Sequence, residues 1–117
     1  MSANYKAVLL QANAAISKLN FEGFLKFCTE DVKWGMVGNQ TIEGKEAVRG
    51  WMKETYGEAP EFDVSSLIAE GDLLAAIGEI SIKDKDGNVR RSSYCDVWRF
   101  RDGKLAELKA YVVEEKP

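Results

Sequence analysis

The heptapeptide YCDVWRF, residues 94 to 100, sets one carboxyl group, Asp96, in a run dominated by aromatic and apolar side chains. A carboxyl in such surroundings loses hydration, which favours its neutral form, and a neutral acid can donate a hydrogen bond or pass on a proton. A second carboxyl, Glu79 in LAAIGEISIK, lies on the preceding segment of like character. Two carboxylates on one wall titrate as a coupled pair, and the one with a modestly raised pKa is suited to proton abstraction. With Asp96 as acid and Glu79 as base on one wall, the chemistry within reach is proton transfer. The structural alternative is that Asp96 is a buried acid paired with a tyrosine hydroxyl or a backbone group, while Glu79 sits solvated at a rim.

Other chemistries lack parts. The 117 residues contain no histidine, and the only two cysteines, Cys28 and Cys95, are far apart in sequence, so neither a zinc site nor a serine–histidine triad can be assembled. No metal and no cofactor is implied. Sixteen basic against nineteen acidic residues, a net charge of -3, give no electrostatic reason to expect nucleic acid as a partner. Two free thiols suit a reducing compartment, no basic leader opens the chain, and no window approaches a membrane span. The expectation is a cytoplasmic protein. The length and the 45% hydrophobic, 30% charged composition fit a single globular domain over residues 1–117.

The elements that must position Asp96 and Glu79 follow from periodicity. Tyr5, Val8, Leu9, Ala12, Ile16 and Leu19 make one stripe of a helix over residues 3 to 19. Asn20 can cap a short second helix with Phe21, Phe24, Leu25 and Cys28 on its inner side. In DVKWGMVG the period changes to two, a strand that QTIEG continues to a turn, and from Gly44 a third helix carries Ala47, Val48, Trp51, Met52 and Thr55. Four strands follow at 61 to 70, 73 to 83, 89 to 101 and 104 to 114, separated by Gly71-Asp72, Asp86-Gly87 and Asp102-Gly103. Helices first and a meander of strands afterwards indicate an α+β domain whose curved antiparallel sheet wraps around the N-terminal helices.

Taking Asp86-Gly87 as a two-residue loop pairs Lys85 with Asn88 and sets Ile77 opposite Asp96 and Glu79 opposite Tyr94. In the last hairpin, a three-residue loop with a bulge at Gly103 keeps the face toward the helices apolar, with Leu108 and Ala110 beside Trp98 and Asp96. One face then carries Ile77, Glu79, Ser81, Tyr94, Asp96, Trp98, Phe100, Leu108, Ala110 and Val112. The opposite face carries Ile80, Ile82, Cys95, Val97, Tyr111 and Val113, more apolar than a solvated surface needs, which predicts a homodimer through the sheet.

The order of elements, the segments FEGFLKFCTEDVKW and IEGKEAV, and above all YCDVWRFRDGKLAELKAYVVE resemble the SnoaL-like and ketosteroid-isomerase-like branch of the NTF2-like superfamily over nearly the whole chain. That resemblance implies a cystatin-like or NTF2-like cone enclosing a hydrophobic pocket, usually in a dimer, with Trp34, Met36, Ile77, Tyr94, Trp98 and Leu108 as ligand-binding positions. It also gives Asp96 the place of an aspartate held protonated so that it can donate to an oxyanion. Two further parts of that pattern are absent: its base position falls at or near Met36 and its helix-one tyrosine near Ala12. The implied function is binding of a small apolar or carbonyl-containing molecule, with isomerase-like or polyketide-cyclase-like catalysis; the alternative is a non-catalytic ligand-binding or dimerisation module.

Overall fold

A computed structural model describes residues 5–84 and 86–116. Three helices, α1 (Tyr5–Ile16), α2 (Phe21–Leu25) and α3 (Lys45–Thr55), accompany six strands: β1 (Cys28–Met36), β2 (Gln40–Glu43), β3 (Glu61–Glu70), β4 (Leu73–Lys83), β5 (Val89–Arg101) and β6 (Lys104–Glu114). The last four strands have the predicted bounds. The strand order is β2-β1-β6-β5-β4-β3, and the sheet curls around the helices. It is mixed rather than antiparallel, because β1 returns from the helices to lie parallel to β6. Parallel pairing needs a long crossover, and the chain from β1 to β6 supplies one.

The first helix stops earlier than its apolar stripe. The Leu19 N–H donates to Ile16 O and the Asn20 N–H to Ala15 O, at 2.8 Å each, with Leu19 left-handed at φ 58°. This is the closing motif that satisfies the last carbonyls of a helix, and it leaves Leu19 in solvent instead of on the core stripe. Residues 3 and 4 of the predicted helix lie outside the described residues. Asn20 then caps α2 as expected, its side-chain oxygen accepting from the Gly23 N–H at 3.0 Å. Cys28, expected on α2, opens β1, where it is buried and its thiol is pushed up to about 12 by desolvation. Leu9, Ala12 and Ile16 of α1, Phe24 and Leu25 of α2, and Val48 and Met52 of α3 bury their apolar faces against Trp34, Leu74, Trp98, Leu105 and Leu108 of the sheet.

The hairpin between β4 and β5 departs from expectation by one residue. Asp84 pairs with Asn88: the Asp84 N–H donates to Asn88 O at 3.0 Å, and Asp84 Oδ1 accepts from the N–H groups of Asp86 and Asn88. Lys85, named in the predicted pairing, lies outside the described residues. The three-residue loop, with Gly87 at φ 86°, sets Ala76 opposite Asp96, Gly78 opposite Tyr94 and Ile80 opposite Ser92. Side chains alternate along a strand, so a shift of one moves a whole strand's set to the other face. Ile77, Glu79 and Ser81 therefore point to the outer face, and Ile80 and Ile82 point in. The last hairpin keeps the predicted pairs, Asp96 with Ala110 and Trp98 with Leu108. The loop is nevertheless two residues, Asp102 and Gly103, with the register shift between Arg99 and Phe100.

Two glycines test this architecture in opposite directions. β3 shifts register between Val64 and Ser66 opposite Gly78, and a Cβ on Gly78 would lie 2.2 Å from the Asp63 carbonyl oxygen. Gly50, in the interior of α3, has open space around it. Gly78→Ala is expected to lower stability by about 2 kcal/mol or more through overpacking, and Gly50→Ala to raise it by about 0.5–1 kcal/mol through helix propensity. Urea unfolding of both variants checks this, and a Gly78→Ala protein of unchanged midpoint would refute the close packing at the bulge.

Candidate functional site

Along β5, Ser92, Tyr94, Asp96, Trp98 and Phe100 face the helices, because alternate residues share a face. The cross-strand neighbours of Asp96 are Ala76 and Ala110, and those of Tyr94 are Gly78 and Val112. Small residues at those positions leave space, and a cavity of about 280 Å³ opens there, just below the usual size range of small-molecule sites, ~300–1,000 Å³. The helices close it from above with Asn13 and Ile16 of α1, Phe24 of α2 and Trp51 of α3. Val37 and Val112, both about half exposed, lie at its margin.

The structure brings Trp34, Met36, Tyr94, Asp96, Trp98 and Leu108 to this one cavity. It does not bring Ile77 or Glu79. Ile77 lies on the outer face, where it is exposed and pairs with Ser66 and Cys95. Glu79 is also outside, hydrogen-bonded to Arg91 at 2.9 Å and in contact with Glu115. The hydrogen bond from Glu115 and the Arg91 guanidinium hold the Glu79 carboxyl below the usual carboxylate range. A carboxylate so placed and so paired cannot act as base on a ligand in the cavity, and the two-carboxylate wall is withdrawn.

Sequence reasoning missed Tyr56. It terminates α3, is 7% exposed and lines the cavity. The signal was available: Tyr56 continues the Trp51-Met52-Thr55 stripe one step, four residues after Met52, within a helix expected to end near Gly57. Trp34 meets Trp51 and Trp98 with ring centroids 5.4 and 5.9 Å apart, and Trp51 meets Tyr56 at 5.9 Å. All three tryptophans therefore line one cavity and report on it together.

Among the described residues Asp96 is the only one with a carboxyl to line the cavity, and no lysine or arginine does. No hydrogen bond or ion pair reaches its side chain among the described residues. It lines the cavity and is half-buried by area, yet it is strongly desolvated. Burial raises its pKa from the ordinary 3.8 to about 7. Burial, and then the charge of Asp96, push the Tyr94 hydroxyl up to about 12 and the Tyr56 hydroxyl upward as well, so both stay protonated. The Tyr94 hydroxyl and the Trp34 indole N–H are buried without a partner. Together these groups can hold an uncharged molecule, take or return one proton at Asp96, and donate to an oxygen atom.

Residues 9–108 match the SnoaL-like domain family model. No functionally curated protein matches. Among solved structures, an NTF2-like protein of unknown function from Burkholderia pseudomallei is similar with a TM-score of 0.83 at 17% identity, covering 94% of this chain and 91% of that one. A candidate SnoaL-like polyketide cyclase from a Jannaschia species gives 0.83 at 13% identity, with 95% and 86% covered. A candidate ketosteroid isomerase from Kribbella flavida gives 0.82 at 17%, with 99% and 82% covered. At these identities the likeness establishes the NTF2-like fold.

The raised pKa of Asp96 links its ionisation to folding. Below 3.8 the carboxyl is protonated folded and unfolded; between 3.8 and about 7 it ionises only in the unfolded chain; above that it is ionised in both. Stability is therefore expected to fall as pH rises from 4 to 7 and to level off above, by roughly 2–4 kcal/mol from this group. Asp96→Asn removes that slope and makes the protein more stable than wild type at pH 8. Urea melts of both proteins across this range check it; parallel curves would show that Asp96 is not desolvated.

Proposed function

This chain belongs to the SnoaL-like domain family, and from that premise we propose that it binds a small, largely apolar carbonyl compound and moves a proton next to the carbonyl without a cofactor. The observation that carries the reading is the carboxyl of Asp96, unpaired, facing a cavity with no other charged lining group, and raised to about 7. A general base is most effective when its pKa lies near the working pH. The Asp96 carboxylate takes a proton from the carbon next to the carbonyl: that C–H bond breaks, an O–H bond forms on Asp96, and the electron pair moves to give an enolate. Neutral Asp96 then returns the proton: to the same carbon in an exchange, to another carbon conjugated with it in an isomerisation, or, in an aldol-type cyclisation, to the alkoxide oxygen left when the enolate carbon has bonded to a second carbonyl carbon of the molecule. Tyr94, held protonated, is a donor beside it.

The apolar Met36 and the outward Glu79 favour a second reading, a non-catalytic binding module, because Asp96 has no partner base in the cavity. β-Tetralone separates the two. Under the first reading, wild type speeds deuterium uptake at its α-carbons in heavy water, followed by NMR, with a rate that rises as pH passes about 7 and Asp96 ionises. Asp96→Asn should lose about 10²-fold or more of that acceleration while still quenching tryptophan fluorescence on binding. Quenching without any acceleration in wild type would leave the binding module, and no quenching by this or other apolar probes would sink both.

We also propose a homodimer through the outer sheet face. Ile68, Ile77, Tyr111 and Val113 are exposed there, and several charges on or beside it are paired within the protomer, Arg91 with Glu79 and Glu115, Arg99 with Asp72. Such pairs lower the repulsion between two faces that meet. Sedimentation should show a dimer at micromolar concentration that Tyr111→Glu converts to a folded monomer; a monomeric wild type would end the proposal.

A further inference from the structure

Removing a proton next to a carbonyl builds negative charge on the carbonyl oxygen, and that charge is stabilised most by donors already in place. Trp34 has the attributes of such a donor. It lies on β1 opposite Leu108 of β6, one inward position before Met36, which is paired with Ala110 and through it neighbours Asp96. The residue lines the cavity, is 8% exposed, and its indole N–H has no acceptor. An indole N–H is a donor only, so no change of role can satisfy it. On its packed sides stand Phe24, Trp51 and Trp98, with centroids 5.7, 5.4 and 5.9 Å away, none of which offers a lone pair. A buried donor without an acceptor carries a desolvation penalty that a ligand oxygen would relieve. Tyr94 is also buried and unpartnered, but its hydroxyl can turn and can accept as well as donate, so it selects less sharply.

We infer that the Trp34 indole N–H is the donor to an oxygen acceptor of the bound molecule, and that this molecule is uncharged and cyclic, with its oxygen on or beside an apolar ring system. The class follows from the lining. Aromatic walls and a volume of about 280 Å³ suit a small ring system, and a carboxylate or phosphate would meet Asp96 with no cation to balance it. A pure hydrocarbon would leave the indole N–H unpaired. The inference rests on the cavity being the ligand site, and it assigns a contact the family resemblance does not supply, since that pattern places a tyrosine near Ala12.

The test compares β-tetralone with tetralin, the same ring system without the oxygen, by following the three indole N–H signals of ¹⁵N-labelled protein. Trp51→Phe and Trp98→Phe assign them by elimination if Trp34→Phe does not fold. β-Tetralone should move the Trp34 N–H downfield and slow its exchange with solvent, while tetralin, which supplies only ring-current effects, should not. Wild type should prefer β-tetralone by about tenfold, a preference that Trp34→Phe abolishes and Trp98→Phe keeps. Equal shifts with both probes would overturn the inference, as would an upfield, unresponsive Trp34 signal of the kind an N–H resting on an aromatic ring face gives. A responding Trp34 without catalysed deuterium exchange would overturn the catalytic reading alone; catalysed exchange with a silent Trp34 would overturn this assignment alone.

Discussion

Two hydrogen bonds from the N–H groups of Asp86 and Asn88 to the carboxylate of Asp84, at 2.9 and 3.0 Å, decide which side chains share the cavity with Asp96. They close the β4–β5 loop at three residues, and from there the register runs the full length of the hairpin. In this register Asp96 stands between Ala76 and Ala110, and Tyr94 stands between Gly78 and Val112. Space appears beside the acid because its neighbours are small. One residue of slip would replace Ala76 and Gly78 with Ile77 and Glu79. The cavity would then be filled where it is now empty and would hold two acids where it now holds one.

The same geometry sets the energetics of the site. A carboxyl that makes no hydrogen bond or ion pair among the described residues pays the desolvation cost of its charged form, and the protein tolerates this because the neutral form is available below about pH 7. On the outer face the opposite holds. Glu79, Glu115 and Arg91 are half-exposed and paired, so their charges cost little and stabilise little. The sheet thus separates its carboxyls by environment: Glu79 outside is held ionised by a hydrogen bond from Glu115 and by the Arg91 guanidinium, and Asp96 inside is left free to titrate.

Much of this was legible in the residues. The bounds of the last four strands, the capping by Asn20, the inward parity of Tyr94, Asp96 and Trp98, and the pairing of Asp96 with Ala110 all follow from period and turn chemistry. The β4–β5 register was not, because KDKDGN carries two competing turn signals. Asp-Gly favours a two-residue loop, while an aspartate three positions before the glycine can bind the backbone ahead of it, and the side-chain bonds win. The parallel union of β1 with β6 was equally hidden, since it joins segments far apart in the chain and leaves no local mark. Tyr56 escaped because the inner stripe of α3 was counted only to Thr55, although the helix was expected to run to near Gly57; Tyr56 is the buried residue at its C-cap.

Met36 occupies the place where the resemblance puts a base, and that substitution redistributes the roles of the remaining groups. With a base on β1, the acid on β5 serves best protonated, as a donor to the oxygen. Without one, the acid on β5 is the only carboxyl lining the cavity among the described residues, so under the proposed reaction proton abstraction falls to it, and donation falls to groups that stay protonated near neutral pH. Tyr94 and Trp34 are such groups, and the donor atoms of both are buried without a partner among the described residues. Aspartate in the base role and neutral donors in the oxyanion role form a consistent set, because each group then acts in the protonation state its environment favours near pH 7. The register that expelled Glu79 is what makes the exchange of roles necessary: a second carboxylate beside Asp96 would have raised its pKa further and kept it a donor.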